Sequence, residues 1–370
     1  MLSVTCPRGA LYEAVQTVSR GVSGRSTQPV QNNIYLEARG GMLRLVATDL
    51  EYISIQAQVP VEVADEGAVT APARLLTEVT NSLPDAAVSL GADENQALKV
   101  ACGKSNYTIR GLSAADFQMF PPLGEGLRVS VPQGQLAEVL KQTAFAASRD
   151  ETRPILTGAL FSFTDSTMQV VATDTYRLAL RKAELAAPVA SPRTAIVSAR
   201  ALNELLRVLG SEKDDMVNVA VTDNQAEFEV GNVKIASRLI EGQFPNYEKV
   251  IPDSHEKRIT LVCSDLEQSL RRALIVARED AYRVVLRTEG DSLRITAESQ
   301  DVGKVAEEIA CTLEGDSAEI AFNCRYLLDV LQALGAEEVN LDLSGPLNPG
   351  MIRAQGAEDY LYVLMPMQIM

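Results

Sequence analysis

The sequence is poor in the residues from which most enzyme and metal sites are built. Its 370 residues include a single histidine, His255, and five scattered cysteines with no Cys-x-x-Cys pair. Dispersed cysteines of odd number predict reduced, mostly buried thiols rather than a disulfide framework or a zinc site. His255 lies where apolar periodicity stops, so it is a weak candidate for a general base. We predict no catalytic residue, no metal and no cofactor.

Long apolar runs are also absent. No window reaches the roughly 18 apolar residues of a membrane-spanning helix. The first eight residues lack the basic region and apolar core of a secretion signal. We therefore expect a cytoplasmic protein with no membrane partner. Hydrophobic residues make up 46% of the chain, which is enough for several domains to bury cores of their own.

Basic residues are outnumbered by acidic ones. The chain has 34 Lys and Arg residues against 49 Asp and Glu residues, and a formal net charge of −15 at pH 7. Taken alone, this charge argues against a nucleic-acid partner, because phosphate contacts are made by Lys and Arg. A partner responds to the local field, however, so basic residues gathered on one surface can act within an acidic protein.

One segment recurs at a constant spacing. Aligning Ala47, Ala172 and Ala297 gives two steps of 125 residues, and an alternating strand pattern precedes each alanine. The copies are Val-Ala-Thr-Asp-Leu-Glu at 46–51, Val-Ala-Thr-Asp-Thr-Tyr-Arg-Leu at 171–178 and Ile-Thr-Ala-Glu-Ser at 295–299. Three units of this length are near the commonest domain size. The predicted domains are 1–126, 127–255 and 256–370.

Each unit repeats two helical patterns and several strands. Apolar residues at helical spacing open the first unit between Leu11 and Val18, with equivalents in the other two. A second helix is introduced near Pro72, Ser198 and Asn323, which are suitable start residues. Its predicted apolar face in the first unit is Leu75, Leu76, Val79 and Leu83. Short connections favour antiparallel sheets, so the predicted class is α+β with helices on one face of the sheets.

Two patterns could carry chemistry, but both have ordinary explanations. Residues 103–105 read Gly-Lys-Ser, like the end of a phosphate-binding loop, yet the position of the first glycine is Leu98. Asp49 and Asp174 occupy matching repeat positions and could form an acid–base or metal couple. The third copy has Ser299 there, and aspartate after a strand is a common turn-former. An enzyme that uses Asp49 or Asp174 is one alternative hypothesis.

Basic residues recur at one position of the second helix, at Arg74, Arg200 and Arg325. This recurrence favours a common surface over scattered solvated charge. Two chains joined head to tail supply six units, which can close into a ring with the helices lining the hole. A positive hole would hold a rod-shaped polyanion through its phosphates without reading its sequence. A ring-forming scaffold without nucleic-acid binding is the other alternative.

Three motifs give the chain a resemblance to the bacterial DNA polymerase III beta subunit family, the sliding clamps. They are residues 171–178, residues 244–247 (Phe-Pro-Asn-Tyr) and residues 362–367 (Tyr-Val-Leu-Met-Pro-Met). The resemblance covers essentially the whole chain. It implies the DNA clamp fold in a non-catalytic homodimeric ring, which a clamp loader places on duplex DNA. Such a ring confers processivity on the replicative DNA polymerase and serves other DNA-processing proteins, including those of DNA repair.

The resemblance also implies three sets of functional residues. A hydrophobic pocket for a partner's short linear motif would be formed by Leu156, Thr173, Thr175, Tyr176, Arg177, Leu178, Pro245, Lys249, Val250, Asn323, Tyr326, Val363, Leu364, Met365, Pro366 and Met367. DNA would be contacted by Arg25, Arg74, Arg149, Arg153 and Arg200. The dimer interface would contain Ile275, Val276, Glu307 and Glu308, with the two glutamates facing Lys99 and Lys104 of the other chain.

The chain departs from the family pattern at the pocket. Family members often have Gly-His where this chain has Thr175 and Tyr176, and an aromatic pair where it has Pro154 and Ile155. The chain continues past Met367 as Gln-Ile-Met, which could partly cover the site. We expect these differences to affect the peptide preference.

Overall fold

The structure is a computed structural model that describes residues 2–22, 28–92 and 94–369. The chain forms two compact units, each with its own core. The first contains Met1–Leu136 and Arg200–Ile240, and the second contains Ala137–Ala199 and Glu241–Met370. No helix in the described ranges is long and apolar enough to cross a membrane. The predicted domain boundaries at 126/127 and 255/256 stay predictions.

The described residues form six α-helices, two for each copy of the repeat. They are α1 (Arg8–Ser19), α2 (Ala73–Ser82), α3 (Gln133–Thr143), α4 (Ala199–Val208), α5 (Cys263–Ala277) and α6 (Cys324–Leu334). The predicted cap of α6 is confirmed, because the Asn323 side-chain oxygen accepts the Arg325 N–H at 3.0 Å. Gly335 ends this helix in the left-handed region, at φ 61°.

The predicted apolar face of α2 is wrong at one position. Leu76 and Val79 are buried, together with Leu83 just after the helix, whereas Leu75 is 44% exposed. Ala73, Leu76 and Val79 form one stripe at helical spacing. Leu75 lies one residue, about 100°, away from that stripe, so it points off the core.

Along the chain, groups of strands lie between these helices in the described residues. In the first half they are β1 (Ser3–Pro7), β2 (Asn33–Arg39), β3 (Met42–Thr48), β4 (Ile53–Pro60), β5 (Glu62–Asp65), β6 (Gly67–Pro72), β7 (Ala87–Ala92), β8 (Ala97–Cys102), β9 (Ser105–Arg110), β10 (Leu127–Pro132), β11 (Gly158–Thr164), β12 (Thr167–Thr173) and β13 (Arg177–Glu184). They continue as β14 (Arg193–Ser198), β15 (Met216–Val221), β16 (Gln225–Val230), β17 (Val233–Arg238), β18 (Lys257–Val262), β19 (Arg283–Glu289), β20 (Ser292–Ser299), β21 (Gly303–Ala310), β22 (Thr312–Glu314), β23 (Glu319–Asn323), β24 (Glu338–Leu343), β25 (Gly350–Ala354) and β26 (Tyr360–Leu364).

The first unit contains two sheets. One has the order β5-β1-β7-β8-β9, and the other has the order β10-β15-β16-β17-β4-β3-β2-β6. The central β17–β4 pair is antiparallel, with Ile235 opposite Ile55. The eight-stranded sheet therefore takes strands from both sides of the predicted boundary at 126/127.

The eight-stranded sheet has apolar residues on both faces. Leu43 and Leu45 of β3 are fully buried on one face. Side chains alternate along a strand, so Arg44 and Val46 lie on the other face. There a small cluster forms from Val30, Tyr35, Val46 and Phe117. Phe117 thus anchors the segment that follows β9 on this second face.

The second unit also contains two sheets. The larger has the order β14-β11-β12-β13-β26-β25-β24-β18-β22, and the smaller has the order β21-β20-β19-β23. In the larger sheet β13 pairs antiparallel with β26, which places Leu178 opposite Val363. The core beneath contains the fully buried Tyr360 and Tyr362. This pairing brings two of the three sequence motifs side by side.

The sequence patterns missed the strands that open each repeat, namely β1, β10 and β18. Each runs directly into a helix without an intervening loop, and a proline, Pro7 or Pro132, ends two of the three strands. Because these strands are only five or six residues long, their alternating pattern is short beside the helical pattern that follows. The predicted antiparallel pairing is confirmed for all the paired strands named above.

Candidate partner-binding site and nucleic-acid interface

The turn between β12 and β13 is built by two side chains. The Thr173 hydroxyl donates to the Arg177 carbonyl at 2.6 Å and accepts the Thr175 N–H at 3.1 Å. Asp174 Oδ1 accepts the N–H groups of Tyr176 and Arg177, each at 3.0 Å. The turn-forming role expected for Asp174 is confirmed. Thr175 has φ 81°, in the left-handed region where most side chains are strained.

Arg177 is the centre of the contacts around this turn. Its Nε binds Asp174 Oδ2 at 3.0 Å, its Nη1 binds Asp329 Oδ2 at 2.5 Å, and its Nη2 donates to the Phe145 carbonyl at 2.9 Å. The guanidinium carbon lies 4.3 Å from the centre of the Tyr326 ring and 5.4 Å from that of Phe145. Two carboxylates and two aromatic rings therefore hold one cation in place.

The Arg177 cation is buried but fully compensated. Its side chain is 10% exposed and that of Asp174 is 12% exposed. Burial by itself lowers the pKa of the Arg177 guanidinium, but Tyr362, Asp329 and Asp174 raise the pKa above its usual range. Arg177 is therefore charged throughout the working pH range. Burial and the nearby Asp174 likewise raise the pKa of Tyr326 above its usual value.

The 365–367 segment is tied to both sheets of the second unit. The Met365 N–H donates to the Tyr176 carbonyl at 2.9 Å, directly beside the β12–β13 turn. The Met367 N–H donates to the Ala321 carbonyl of β23 at 2.8 Å. Met365, Pro366 and Met367 remain half-buried, so their side chains are partly available to a ligand.

A further hydrogen bond holds the backbone at Gln368. Arg283 Nη1 donates to the Gln368 carbonyl at 3.2 Å, and Arg283 is itself bound to Asp280. The Gln368 and Ile369 side chains are exposed. The backbone of Gln368 is thus attached at the margin of the site, while Met370 lies outside the described residues.

The predicted pocket residues divide by burial. Leu156, Thr173, Leu178, Val363 and Leu364 are buried, while Tyr176 is 60% exposed and Thr175 is exposed. Asn323 and Tyr326 are half-buried at the start of α6. The site therefore has an apolar floor, with Tyr176 and Tyr326 around it.

Pro245, Lys249 and Val250 lie on a separate segment around the short 3-10 helix Tyr247–Val250. The first two are exposed and Val250 is half-buried. The Tyr247 hydroxyl accepts a hydrogen bond from the Gln169 side chain of β12 at 2.6 Å. This bond connects the segment to the strand that leads into the β12–β13 turn.

Arg153 lies beside this site, although the sequence assigned it to DNA. Its Nη1 donates to Thr175 Oγ1 at 3.4 Å, and its Nε binds Asp150 Oδ2 at 2.8 Å. Phe145 and Asp329, which hold Arg177, were not predicted. Asp329 follows Tyr326 by three residues in α6, so the shared helix face was the one available sequence signal.

The other predicted DNA residues are mostly exposed. Arg74 has a 92% exposed side chain and binds Glu78 one helical turn away at 2.9 Å. Arg200 binds Asp49 Oδ2 at 2.5 Å and remains 42% exposed. Arg149 is exposed, and Arg25 lies outside the described residues.

The helices differ in charge from the rest of the chain. Together the six helices carry eight Lys or Arg residues and seven Asp or Glu residues, whereas the whole chain has 34 and 49. The acidic excess therefore lies outside the helices. Of the three matching arginines, Arg325 packs 4.9 Å above the Tyr282 ring.

The residues predicted for the dimer lie at sheet edges and on one helix. Ile275 of α5 is 62% exposed and Val276 is half-buried. Glu307 and Glu308 are on β21, the edge strand of the four-stranded sheet, and Arg272 Nε binds Glu307 Oε2 at 2.9 Å. Lys99 is on β8, next to the edge strand β9, and Lys104 is exposed in the hairpin between them.

The remaining candidates for chemistry have structural roles. Gly103 and Lys104 form the β8–β9 hairpin turn, with Gly103 at φ 57°, and Ser105 is the first residue of β9. Asp49 Oδ1 accepts three backbone N–H groups, so it too is a turn-former, as expected. His255 Nδ1 lies 3.8 Å from the buried Asp342, which Arg258 holds. In the described ranges no group of His, Cys, Asp and Glu side chains could hold a metal ion.

The chain matches three family models of the DNA polymerase III beta subunit. They are the models of its N-terminal domain, over residues 2–121, its central domain, over residues 130–246, and its C-terminal domain, over residues 248–368.

Relatives match over the same length. The beta sliding clamp of Synechocystis sp. is 32% identical to this chain in an alignment 391 positions long, gaps included, which covers all of both chains. The beta sliding clamp of Bacillus subtilis is 30% identical in an alignment 378 positions long, gaps included, which covers 99% of this chain and 100% of the relative. The crystal structure of the Pseudomonas aeruginosa sliding clamp bound to griselimycin superposes with a TM-score of 0.94, at 32% identity and full coverage of both chains. The chain therefore belongs to the family of DNA polymerase III beta subunits, the beta sliding clamps.

Proposed function

We propose that the chain is the processivity clamp of a replicative DNA polymerase. The observation that carries this function is the family match, which extends over all three repeats. The function is non-catalytic, since a clamp acts by holding its partner on DNA. Asp49 and Asp174 accept hydrogen bonds that form turns, so their recurrence in the repeat no longer supports the hypothesis of an enzyme that uses them. The cytoplasmic location stays a prediction.

The proposed working form is a homodimer that encircles duplex DNA after a clamp loader has opened it. The edge strands β9 and β21, which lie at the ends of two different sheets, each have one side without a neighbouring strand among the described residues and suit strand pairing with a second copy. The exposed Ile275 supplies an apolar contact. Helices with one more basic than acidic residue suit the DNA-facing surface of an acidic protein, where contacts to phosphate need not be strong.

Retention on DNA tests encirclement. The clamp is loaded on nicked circular DNA with its loader and ATP, separated by gel filtration in raised salt, and followed after the DNA is cut. We expect retention on the circle and loss from the linear form, because a closed ring slides off an end. Equal loss from both forms would contradict encirclement.

Charge reversal separates the clamp from a scaffold that holds no nucleic acid. The triple variant Arg74→Glu, Arg200→Glu and Arg325→Glu is expected to lose loading or retention. The control Arg39→Glu, Lys182→Glu and Lys213→Glu changes the net charge equally at exposed positions outside the helices. Unchanged loading of the helix variant would favour the scaffold.

We further propose that partners insert a short linear motif into the site around Arg177. The support is the apolar floor, the half-buried methionines and the aromatic rings described above. Methionine side chains are adaptable and polarisable, which suits a surface that accepts several peptides. The replicative polymerase, the clamp loader and other DNA-processing proteins are the proposed partners.

Binding of the replicative polymerase from the same cell tests this site. Met365→Ala combined with Met367→Ala is expected to weaken binding about tenfold or more, because both side chains supply contact area. Met216→Ala is the matched control, since Met216 is 46% exposed on β15. Equal binding by the double variant and the control would place the contact elsewhere.

A further inference from the structure

A cavity of about 350 Å³ lies in the first unit, on the face of the eight-stranded sheet that carries Arg44 and Val46. Its sheet side is lined by Arg44, Val46, Ser54, Gln56, Arg128, Glu227, Lys234 and Ala236. Its other wall is the segment 119–123, Met-Phe-Pro-Pro-Leu. None of these residues belongs to the proposed peptide site or to the predicted DNA set.

The strand register explains why there is room here. Glu227 pairs with Ala236, and Ala236 pairs with Ser54. Two small side chains therefore lie side by side in the middle of the sheet face. Arg128 lies on β10, three strands from Lys234 on β17, or about 14 Å across the sheet. Ala220 on β15 and Glu227 on β16 lie between these two strands, in register with Arg128 and Ala236.

The cavity is basic in a protein of net charge −15. Three cations line it, Arg44, Arg128 and Lys234, against the one carboxylate of Glu227. Lys234 binds Glu227 at 3.0 Å, and Arg44 binds Gln56 at 2.9 Å and Glu37 at 3.4 Å, so two of the three cations are already paired with a carboxylate. Arg128 is exposed and has no hydrogen-bond or ion-pair partner among the described residues. Its guanidinium is thus free to bind an anion.

The wall over the cavity is apolar and held in place. Phe120 lies 5.6 Å from the guanidinium carbon of Arg238 on β17, in cation–π contact. Three residues earlier, Phe117 is buried in the cluster with Tyr35 and Val46. Pro121 and Pro122 stiffen the backbone between these anchors and the next strand. The wall offers an aromatic ring and two proline rings as packing surfaces.

We propose that this cavity binds a small organic phosphate that carries a planar ring, of the size of a nucleoside monophosphate. The phosphate would lie between Arg128 and Lys234, where a guanidinium fork can bind two of its oxygens. The ring would pack against Phe120 and the two prolines. The volume of about 350 Å³ lies at the low end of the range for small-molecule sites, which suits one nucleotide.

Titration with AMP, adenosine and inorganic phosphate tests the proposal. Met119 lines the cavity, so the protein is labelled on its methionine methyl groups and followed by NMR. We expect AMP to shift the Met119 signal saturably, and adenosine or phosphate alone to bind at least about tenfold more weakly. Arg128→Ala and Lys234→Ala are each expected to weaken the binding of AMP about tenfold. The melting temperature of both variants is measured to check that they remain folded.

Two controls separate this site from other basic surfaces. Lys182→Ala removes an exposed cation from β13 and should leave AMP binding unchanged. The double variant Arg74→Glu and Arg200→Glu should also bind AMP normally. Loss of DNA binding can therefore be distinguished from loss of AMP binding at the cavity. The proposal is overturned if AMP up to about 10 mM leaves the Met119 signal unmoved. Phosphate binding as tightly as AMP, or AMP binding unaffected by both Arg128→Ala and Lys234→Ala, overturns it as well.

Discussion

The turns that follow β3 and β12 are built in the same way, 125 residues apart. Thr48 and Thr173 each donate to the carbonyl that closes the turn and accept an N–H from two residues ahead. Asp49 and Asp174 each accept further N–H groups through Oδ1. Both turns place the residue after the aspartate at positive φ.

The two turns differ in the partner of the second carboxylate oxygen. Asp49 Oδ2 binds Arg200, whose side chain is 42% exposed. Asp174 Oδ2 binds Arg177, which is 10% exposed and lies between the rings of Phe145 and Tyr326. The repeated residues therefore provide a turn, and the surroundings decide whether the arginine bound to its aspartate is exposed or packed against aromatic rings.

Removing the two arginines should give the largest contrast. Arg177→Ala leaves Asp174 and the Phe145 carbonyl without their buried partner, and we expect a loss of about 3 kcal/mol of local stability. Arg200→Ala removes a cation that is 42% exposed, and although the Asp49 side chain is 3% exposed, its Oδ1 keeps three backbone N–H donors, so the loss should be smaller, about 1–2 kcal/mol. Native-state hydrogen exchange at the amides of each turn measures both values. Equal losses at the two turns would show that burial of Arg177 does not set its contribution.

Removing the two aspartates should give smaller and more similar effects. Asp49→Ala and Asp174→Ala each leave turn N–H groups unpaired, at a cost of about 1–2 kcal/mol. The cost should be greater at Asp174, which also compensates Arg177. Asn keeps the Oδ1 acceptor, so Asp49→Asn should stay within about 1 kcal/mol of the parent protein in thermal denaturation. If Asp49→Asn lost as much stability as Asp49→Ala, Asp49 would stabilise the protein through its charge and not through its hydrogen bonds to the turn.

These turns also show how far the sequence predicts the structure. The 125-residue repeat, the helix starts and the turn-forming aspartates are local patterns, and the structure contains them. The pairing of Arg177 with Asp329 joins residues 152 positions apart. No local spacing signals such a pair, and the same is true of β17 lying beside β4. Side-chain partners brought together by tertiary folding were therefore beyond prediction, including those that surround Arg177 beside the β12–β13 turn.

Glycine at the left-handed positions should give the smallest effect. Thr175 is exposed at φ 81°, so Thr175→Gly relieves backbone strain and should gain about 0.5 kcal/mol after the entropy cost of glycine. Leu50, at φ 63°, is half-buried, and Leu50→Gly also loses apolar contact and should gain nothing. Thermal denaturation of both variants measures the difference. A gain with Leu50→Gly equal to that with Thr175→Gly would show that strain outweighs burial at both turns.

The backbone ties at Met367 and Gln368 have a practical consequence for handling the protein. The Met367 N–H is bound to the Ala321 carbonyl, and the Gln368 carbonyl is bound to Arg283. A fluorophore attached next to these two residues would lie beside the residues that we propose to bind partners. The exposed Lys182 on β13 is a better position for a label, because it belongs to none of the predicted binding or dimer residues.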